Sequence, residues 1–332
     1  MGAPITVVVP MHNAEGLIEA TLQSLIDQTL RPEQVIVVDD GSTDGSVAIV
    51  RRMAAQSPVS VVLVQNDSPQ GVARARNRGL MEAATDWIGL CDNDDLWHPR
   101  LLELVFDAVD EDPDAAAIGV DSFGFATPLE LPLLKGHPRE GMVQATVDSD
   151  HDVLQKLVEI VGPVKRSMRE VTHADFQEGT VFSTTQLLMR RDAFATAGGF
   201  AAWCHRADDW VLNGCIADAN SPIRVVAAPL VFYRVRASSQ SNALAASLLP
   251  LLTAQLAVRL GGSNPNLAPP QGIYRHLVRS LAAAGDGRRA LGFALIGGGY
   301  SARDLAGLVK VARDTKRRAP SGSGACANAS QS

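Results

Sequence analysis

Two hydrophobic periodicities alternate along the first third of the chain. Short runs at Ile5–Val9, Val35–Val38, Val59–Val64, Trp87–Cys91 and Ala115–Val120 are Val/Ile-rich and apolar at nearly every position. That is the pattern of strands buried on both faces, as in a parallel sheet covered by helices. Between the runs, apolar residues return at helical spacing. Ile18, Leu22, Leu25 and Ile26 share one face after Asn13, and Val47, Val50 and Met53 share one after Thr43. Two more helices are predicted, from about Gly71 to Ala84 and from Pro99 to Val109. Asn13 and Thr43 suit N-caps, and Pro99 suits a first helical turn. Strand, helix and strand repeat about every 25–30 residues, so the expected fold is a Rossmann-like α/β sheet built of βαβ units.

The polar clusters fall in one kind of place. Pro10-Met11-His12-Asn13 follows the first strand, Asp39 to Asp44 the second, Gln65-Asn66-Asp67 the third and Asp92 to Asp95 the fourth. All four therefore lie at strand carboxyl ends, the edge where open α/β sheets bind ligands. The fourth cluster packs Asp92, Asp94 and Asp95 into four positions. Like charges so close need a cation or hydrogen-bond donors. A hard cation, Mg²⁺ or Mn²⁺, binds through one or two carboxylates plus substrate phosphates. An Asp-rich turn before a helix is the other reading. Neither GxGxxG nor GxxxxGK[ST] follows the first strand, so nicotinamide and P-loop chemistry have no support.

Composition narrows the class. The net charge of −6 over 332 residues, with no dense basic tract before Lys316-Arg317-Arg318, argues against nucleic acid as a partner. Four cysteines, Cys91, Cys204, Cys215 and Cys326, follow no framework spacing, which fits a reducing, cytoplasmic setting. No signal peptide is expected, since a strand begins at Ile5. The Met1–Thr6 match to a myristoylation pattern is discounted because Thr6 falls inside that strand. Leu244 to Leu260 is interrupted by Pro250, Gln255 and Arg259 and falls short of a membrane span.

Four ordered segments resemble the signatures of family 2 glycosyltransferases with the GT-A fold. They are Pro10 to Glu15, Val37 to Asp44, Ala75-Arg76-Asn77-Arg78-Gly79 and Asp92 to Asp95. The resemblance covers about residues 4–120 and resumes at 183–241. It implies that Asp40 accepts from the N3–H of a uracil-type base, with Pro10 lining the same pocket and Asn13 within the same donor-binding motif. It implies Asp92 near ribose and diphosphate, Asp94 as the metal ligand, and Arg76 on a helix flanking the nucleotide. The donor is then a nucleotide-diphospho-sugar, UDP-sugar ahead of dTDP- or GDP-sugar.

Sugar transfer to a hydroxyl also needs a base opposite the leaving diphosphate. Asp208-Asp209-Trp210, opening a helix through Ala217, resembles the family's acidic pair, with Asp209 as base and Asp208 and Trp210 on the acceptor side. An N-cap with a dipole-favoured neighbour is the structural alternative. Gly198-Gly199-Phe200 precedes it, after an apolar run at Thr184–Arg190. Tyr233 to Ser241 resembles the family's closing segment, but Arg236 stands where members often carry a metal-contacting His. Guanidinium cannot ligate a cation, though it binds phosphate bidentately.

The expected organisation is a GT-A domain over 1–241, with a nucleotide-sugar half (1–120) and an acceptor half (121–241). Residues 121–180 are weakly patterned, with one helix from about Asp152 to Val161. A helical extension (242–318) and a disordered tail (319–332) follow. The extension packs on the domain or, as the less common use of such helices, lies on the inner face of a membrane. The acceptor is a polysaccharide, a lipid-linked sugar or a small metabolite. A nucleotidyltransferase and a non-catalytic nucleotide-sugar or glycan-binding module are the rival readings.

Overall fold

The computed structural model describes residues 2–136, 140–148, 152–171, 182–200 and 223–237, with isolated positions 175, 209, 212, 213, 216, 305, 306 and 309. The chain forms two compact units, residues 1–176 with 180–267, and residues 177–179 with 268–332. In the second, Leu305, Ala306 and Val309 are helical, and the remainder of the expected extension and tail lies outside the described residues.

The first unit is a large sheet between helical layers. Its elements run β1 (Ala3–Met11), α1 (Ile18–Ile26), β2 (Pro32–Asp39), α2 (Ser46–Gln56), β3 (Ser60–Gln65), α3 (Val72–Glu82), β4 (Trp87–Leu90), β5 (Leu96–Trp97), α4 (Leu101–Glu111) and β6 (Ala117–Ala126). Then come α5 (Leu131–Leu134), β7 (Ala145–Thr146), α6 (Val153–Val161), β8 (Met168–Val171), β9 (Leu187–Arg190), α7 (Arg191–Ala197) and β10 (Ile223–Arg234). The strand order is β3-β2-β1-β4-β9-β6-β10-β5, with β7 on β6 and β8 on β10.

Alternation along the strands explains the two-sided burial. Val7, Val9, Val35 and Val37 join one core with Ile18, Leu22, Leu25, Val50, Leu101 and Val105. Their neighbours Val8, Ile36 and Val38 point the other way and join Ala73, Ala75, Leu80 and Phe200. Period-two geometry therefore sends one continuous apolar run into two cores.

The expectation of a parallel sheet holds for β3, β2, β1 and β4, but the sheet as a whole is mixed. β9 is antiparallel to both β4 and β6, and β5 and β8 are antiparallel to β10. A strand arriving from residue 187 thus sits between strands from residues 87 and 117. Local patterning carries no information about such a long-range insertion. The β6–β10 ladder shifts register around Pro229, which has no N–H to give.

Three helix starts differ from expectation. Asn13 is left-handed at φ 48° and lies ahead of a helix that begins at Ile18, so it is no N-cap. Thr43 is not a cap either, because α2 begins at Ser46 after Gly45. Pro99 precedes α4, whose first residue is Leu101. A buried glutamine just after α1 caps α4 instead: Gln28 Oε1 accepts from Leu102 N at 3.1 Å while Gln28 Nε2 donates to His98 O at 2.9 Å. The helix predicted from Asp152 begins at Val153, with Asp152 left-handed at φ 56°. The run from Thr184 divides into a 3₁₀ turn at Thr184–Gln186 and β9.

Candidate active site

The loops after β1 and β2 are stitched together. Asn13 Oδ1 accepts from Thr43 N at 2.8 Å, and Asn13 N donates to Ser42 Oγ at 2.9 Å. Glu15 N donates to Asp44 Oδ2 at 3.0 Å, and Gly45 N to Glu15 Oε2 at 3.1 Å. Asn13 therefore shapes the loops with both groups. Pro10 is buried near the end of β1, in register with Val38.

Asp40 is the hub of the next loop. Its Oδ1 accepts from Asn66 Nδ2 and Gln70 N, each at 2.7 Å, and its Oδ2 accepts from Gly71 N at 2.8 Å. Arg78 in turn donates to Asn66 Oδ1. Gly41 follows at φ 80°, where a Cβ would lie 2.9 Å from Pro69 Cδ, so only glycine fits without displacing Pro69. Asp39 is likewise engaged, by Ser42 N at 3.0 Å and Gln65 Nε2 at 3.2 Å. The strand-end position of Asn66 marks it in the sequence, but its partnership with Asp40, 26 residues earlier, is not legible there.

The three aspartates after β4 have separate fates. Asp92 Oδ1 accepts from Arg76 at 2.7 Å. The Arg76 side chain is only 7 % exposed, and its guanidinium lies 5.4 Å from the Phe200 ring centre. Asp94 Oδ2 accepts from Arg236 at 2.5 Å. Asp95 turns inward, 1 % exposed, and accepts from Thr185 Oγ1 at 2.6 Å and Arg234 N at 3.0 Å. The expectation of three carboxylates at one open point is corrected to two half-buried and one in the core. The cause is a turn: Asp95 N donates to Asp92 O at 3.1 Å, and the chain leaves the turn with Asp95 facing β10 and the 3₁₀ turn.

Charge crowding shows in the protonation preferences. Burial raises the carboxyl of Asp94 above its usual range, Arg236 opposes this and Asp92 adds to it. Burial, then Asp94 and Asp92, pushes Asp95 well up. Burial and the same aspartates push the Cys91 thiol well up. The loop is thus a concentration of negative potential behind β4.

Two links tie this loop to the later part of the chain. Asn77 Nδ2 donates to Phe200 O at 2.8 Å, and Phe200 N donates to Asn77 Oδ1 at 2.9 Å. The preceding Gly199 is at φ 76°, with Asn77 Oδ1 only 3.1 Å from where a Cβ would stand. Second, Thr184 Oγ1 lies 3.5 Å from Asp209 Oδ2, beside the Thr185 that holds Asp95. Asp209 is helical, with Leu212, Asn213 and Ile216. Asp208 and Trp210 lie outside the described residues. Asn77, Thr184, Thr185 and Arg234 escape sequence reasoning because their partners lie 90 or more residues away or, for Thr184, 25 residues away.

Among the described residues no group of three or more His, Cys, Asp or Glu could hold a metal by itself. A hard cation does not require one when phosphates and waters complete its shell. Asp92 Oδ2 and Asp94 Oδ1 accept no hydrogen bond from the described residues, and the two side chains are 31 % and 17 % exposed. The donor set, oxygen-only and half neutralised by two arginines, fits Mg²⁺ or Mn²⁺ held jointly with a diphosphate.

Two solved structures share this fold. Staphylococcus aureus TarS 1–349 in complex with UDP-GlcNAc aligns with 95 % of this chain and 80 % of its own at TM-score 0.56 and 17 % identity. The mannosyltransferase PcManGT from Pyrobaculum calidifontis, in complex with GDP-Man and Mn²⁺, aligns with 96 % of this chain and 82 % of its own at TM-score 0.55 and 22 % identity. The uncharacterized glycosyltransferase YibD of Escherichia coli (strain K12) is 34 % identical over 118 residues, 35 % of this chain and 34 % of that protein. The chain spans little more than a third of the length of the curated relatives it matches. The fold, mixed α/β and Rossmann-like, is that of the GT-A glycosyltransferases. The model of glycosyl transferase family 2 matches residues 6–198, more than half of the sequence and every strand-end loop described above, so this chain belongs to that family.

Proposed function

We propose that this protein moves a sugar from a nucleotide-diphospho-sugar to an acceptor hydroxyl with inversion. The observation that carries the reading is the turn at Thr184-Thr185. One threonine contacts Asp209 and the next holds Asp95, so a candidate base and the acidic loop are joined at one point. Asp209 takes the proton of the acceptor hydroxyl as its oxygen attacks the anomeric carbon. The bond from that carbon to the diphosphate oxygen breaks on the opposite face, and the nucleoside diphosphate leaves with the electron pair. An α-linked donor then gives a β-linkage. Asp94, with Asp92 beside it, would hold a divalent cation that neutralises the leaving diphosphate. Arg76 and Arg236 add fixed positive charge at the same loop.

Uracil is the base that Asp40 suits best. A carboxylate offers about four acceptor directions. Three are taken, two on Oδ1 and one on Oδ2. One remaining acceptor matches the single N3–H of uracil or thymine, whereas the Watson–Crick edge of guanine presents two adjacent donors. TarS, solved with UDP-GlcNAc, supports the same choice, and PcManGT, solved with GDP-Man, is the counter-example the test must exclude. The acceptor class is a carbohydrate, a lipid-linked sugar or a small metabolite.

The test is a thermal-shift screen of UDP, dTDP, GDP and CMP with and without Mn²⁺, on the native chain and on Asp94→Ala. UDP should stabilise most, more with Mn²⁺, and the metal-dependent part should vanish in Asp94→Ala. In a UDP-release assay with a panel of sugar acceptors, Asp209→Asn should lose about 10²–10⁴ in turnover while still binding UDP. Stabilisation indifferent to metal and to Asp94 would remove the metal assignment. Donor binding with no turnover, unchanged by Asp209→Asn, would make the protein a binding module.

A further inference from the structure

Arg236 occupies one oxygen of the carboxylate that a cation would use. Its guanidinium donates to Asp94 Oδ2 at 2.5 Å, with the two side chains 26 % and 17 % exposed. The contact joins residues 142 apart, and the backbone on both sides is strapped down. Arg234 N donates to Asp95 Oδ1 at 3.0 Å, and Arg234 Nε donates to Asp94 O at 3.1 Å. Val235 N donates to Phe125 O at 2.7 Å, and Ala237 N to Glu130 Oε2 at 2.9 Å. Four bonds within residues 234–237 thus present Arg236 to Asp94. A guanidinium stays protonated at any working pH and cannot share an oxygen lone pair with a metal ion.

From this we infer that Arg236 is a built-in counter-cation that competes with the divalent metal for Asp94 and yields the position only to a diphosphate. The inference rests on reading Asp94 as the cation-binding carboxylate. In the nucleotide-free protein, a metal at Asp94 must share the carboxylate with Arg236, which weakens a charge-assisted hydrogen bond and sets a dication beside a partly buried guanidinium. Both changes oppose binding. A diphosphate reverses the balance. Its oxygens accept the guanidinium bidentately, which frees Asp94 Oδ2, and they supply further ligands to the metal. Metal and nucleoside diphosphate therefore bind with positive coupling, and each must raise the affinity for the other by the same factor. A histidine at this position, neutral at pH 7, would instead add a metal ligand and permit metal binding first.

The experiment is a Mn²⁺ titration followed by the electron paramagnetic resonance signal of free Mn²⁺. It uses the full chain, native and as Arg236→Ala, Arg236→His and Arg236→Ala/Asp94→Asn, each with and without UDP. Without UDP, Arg236→Ala and Arg236→His should bind Mn²⁺ about tenfold or more tightly than the native protein, the size expected for losing one charge-assisted competitor. UDP should close most of that gap, and the double variant should lose the tight site. Equal Mn²⁺ affinity of native and Arg236→Ala protein without UDP would overturn the inference. So would tight binding that survives in the double variant, or Mn²⁺ binding under no condition. The UDP affinity of the native chain, measured separately by calorimetry, reports on the nucleotide site itself. If UDP fails to bind while the Mn²⁺ gap persists, the donor assignment falls and the competition at Asp94 stands.

Discussion

Asp94 and Asp95 are adjacent in sequence and do opposite work. Asp94 is partly exposed and pairs with Arg236, whereas Asp95 bonds two groups, Thr185 Oγ1 and Arg234 N, in the core. Removing a buried acceptor leaves its donors unsatisfied, which costs more than the bond itself is worth. Asp95→Ala should therefore lose about 2–3 kcal/mol, read from urea unfolding. Asp95→Asn should lose less than about 1 kcal/mol, because the amide oxygen still accepts from Arg234 N and its NH₂ can donate to Thr185 Oγ1. A comparable loss in both would mean that the carboxylate's charge, not its acceptor geometry, holds the core together. The acidity of this loop is legible in the sequence. The division of labour within it is not, because it depends on partners 90 and 139 residues away. Arg76 and Asn77 show the same limit. Their pairing motif is readable, but their targets, Asp92 and the Phe200 backbone, appear only when α3 is folded against both.

At the scale of elements, the β5–α4 junction carries a pH response. His98 lies between them, 4 % exposed, and its Nδ1 accepts from Arg100 N at 3.1 Å. Burial, with the Arg100 charge adding to it, lowers the imidazole from 6.5 to about 4. The unfolded chain takes up this proton near 6.5 and the folded one only near 4, so protonation favours the unfolded state across that window. Stability is complete above about 6.5 and declines toward pH 4, by about 3 kcal/mol at most. His98→Gln keeps an acceptor for Arg100 N and does not titrate. Urea unfolding at pH 7, 6, 5 and 4.5 should therefore show a shallower decline in the variant than in the native chain. Parallel curves would mean that His98 is solvated in the native state. The hydrophobic pattern anticipated strands and helices here to within a few residues, yet missed β5 altogether. Two residues, Leu96 and Trp97, give no period to read, and their pairing is with β10, residues 231 and 232.

For the whole molecule, the order of strands decides how far the chain can be divided. The first four parallel strands were legible because each is a local βαβ step. The insertion of β9 between β4 and β6 was not, since it pairs residues 187–190 with strands that begin far earlier in the chain, at residues 87 and 117. As a result, residues 1–120 do not own their sheet. Cut there, β4 loses its β9 neighbour, β6 is truncated and loses both β9 and β10, and Asp94 and Asp95 lose Arg236, Thr185 and Arg234. Exposed strand edges invite aggregation rather than autonomous folding. A fragment of residues 1–120, although it carries all four donor-side loops, should therefore show no cooperative urea transition and no thermal stabilisation by UDP with Mn²⁺, while the full chain shows both. A fragment that unfolds cooperatively and binds UDP would prove the nucleotide half to be an independent domain, and the long-range bonds to β9 and β10 would then serve catalysis rather than folding. Within the present fold the two cannot be separated, because the residues that complete the sheet are adjacent to those that complete the site.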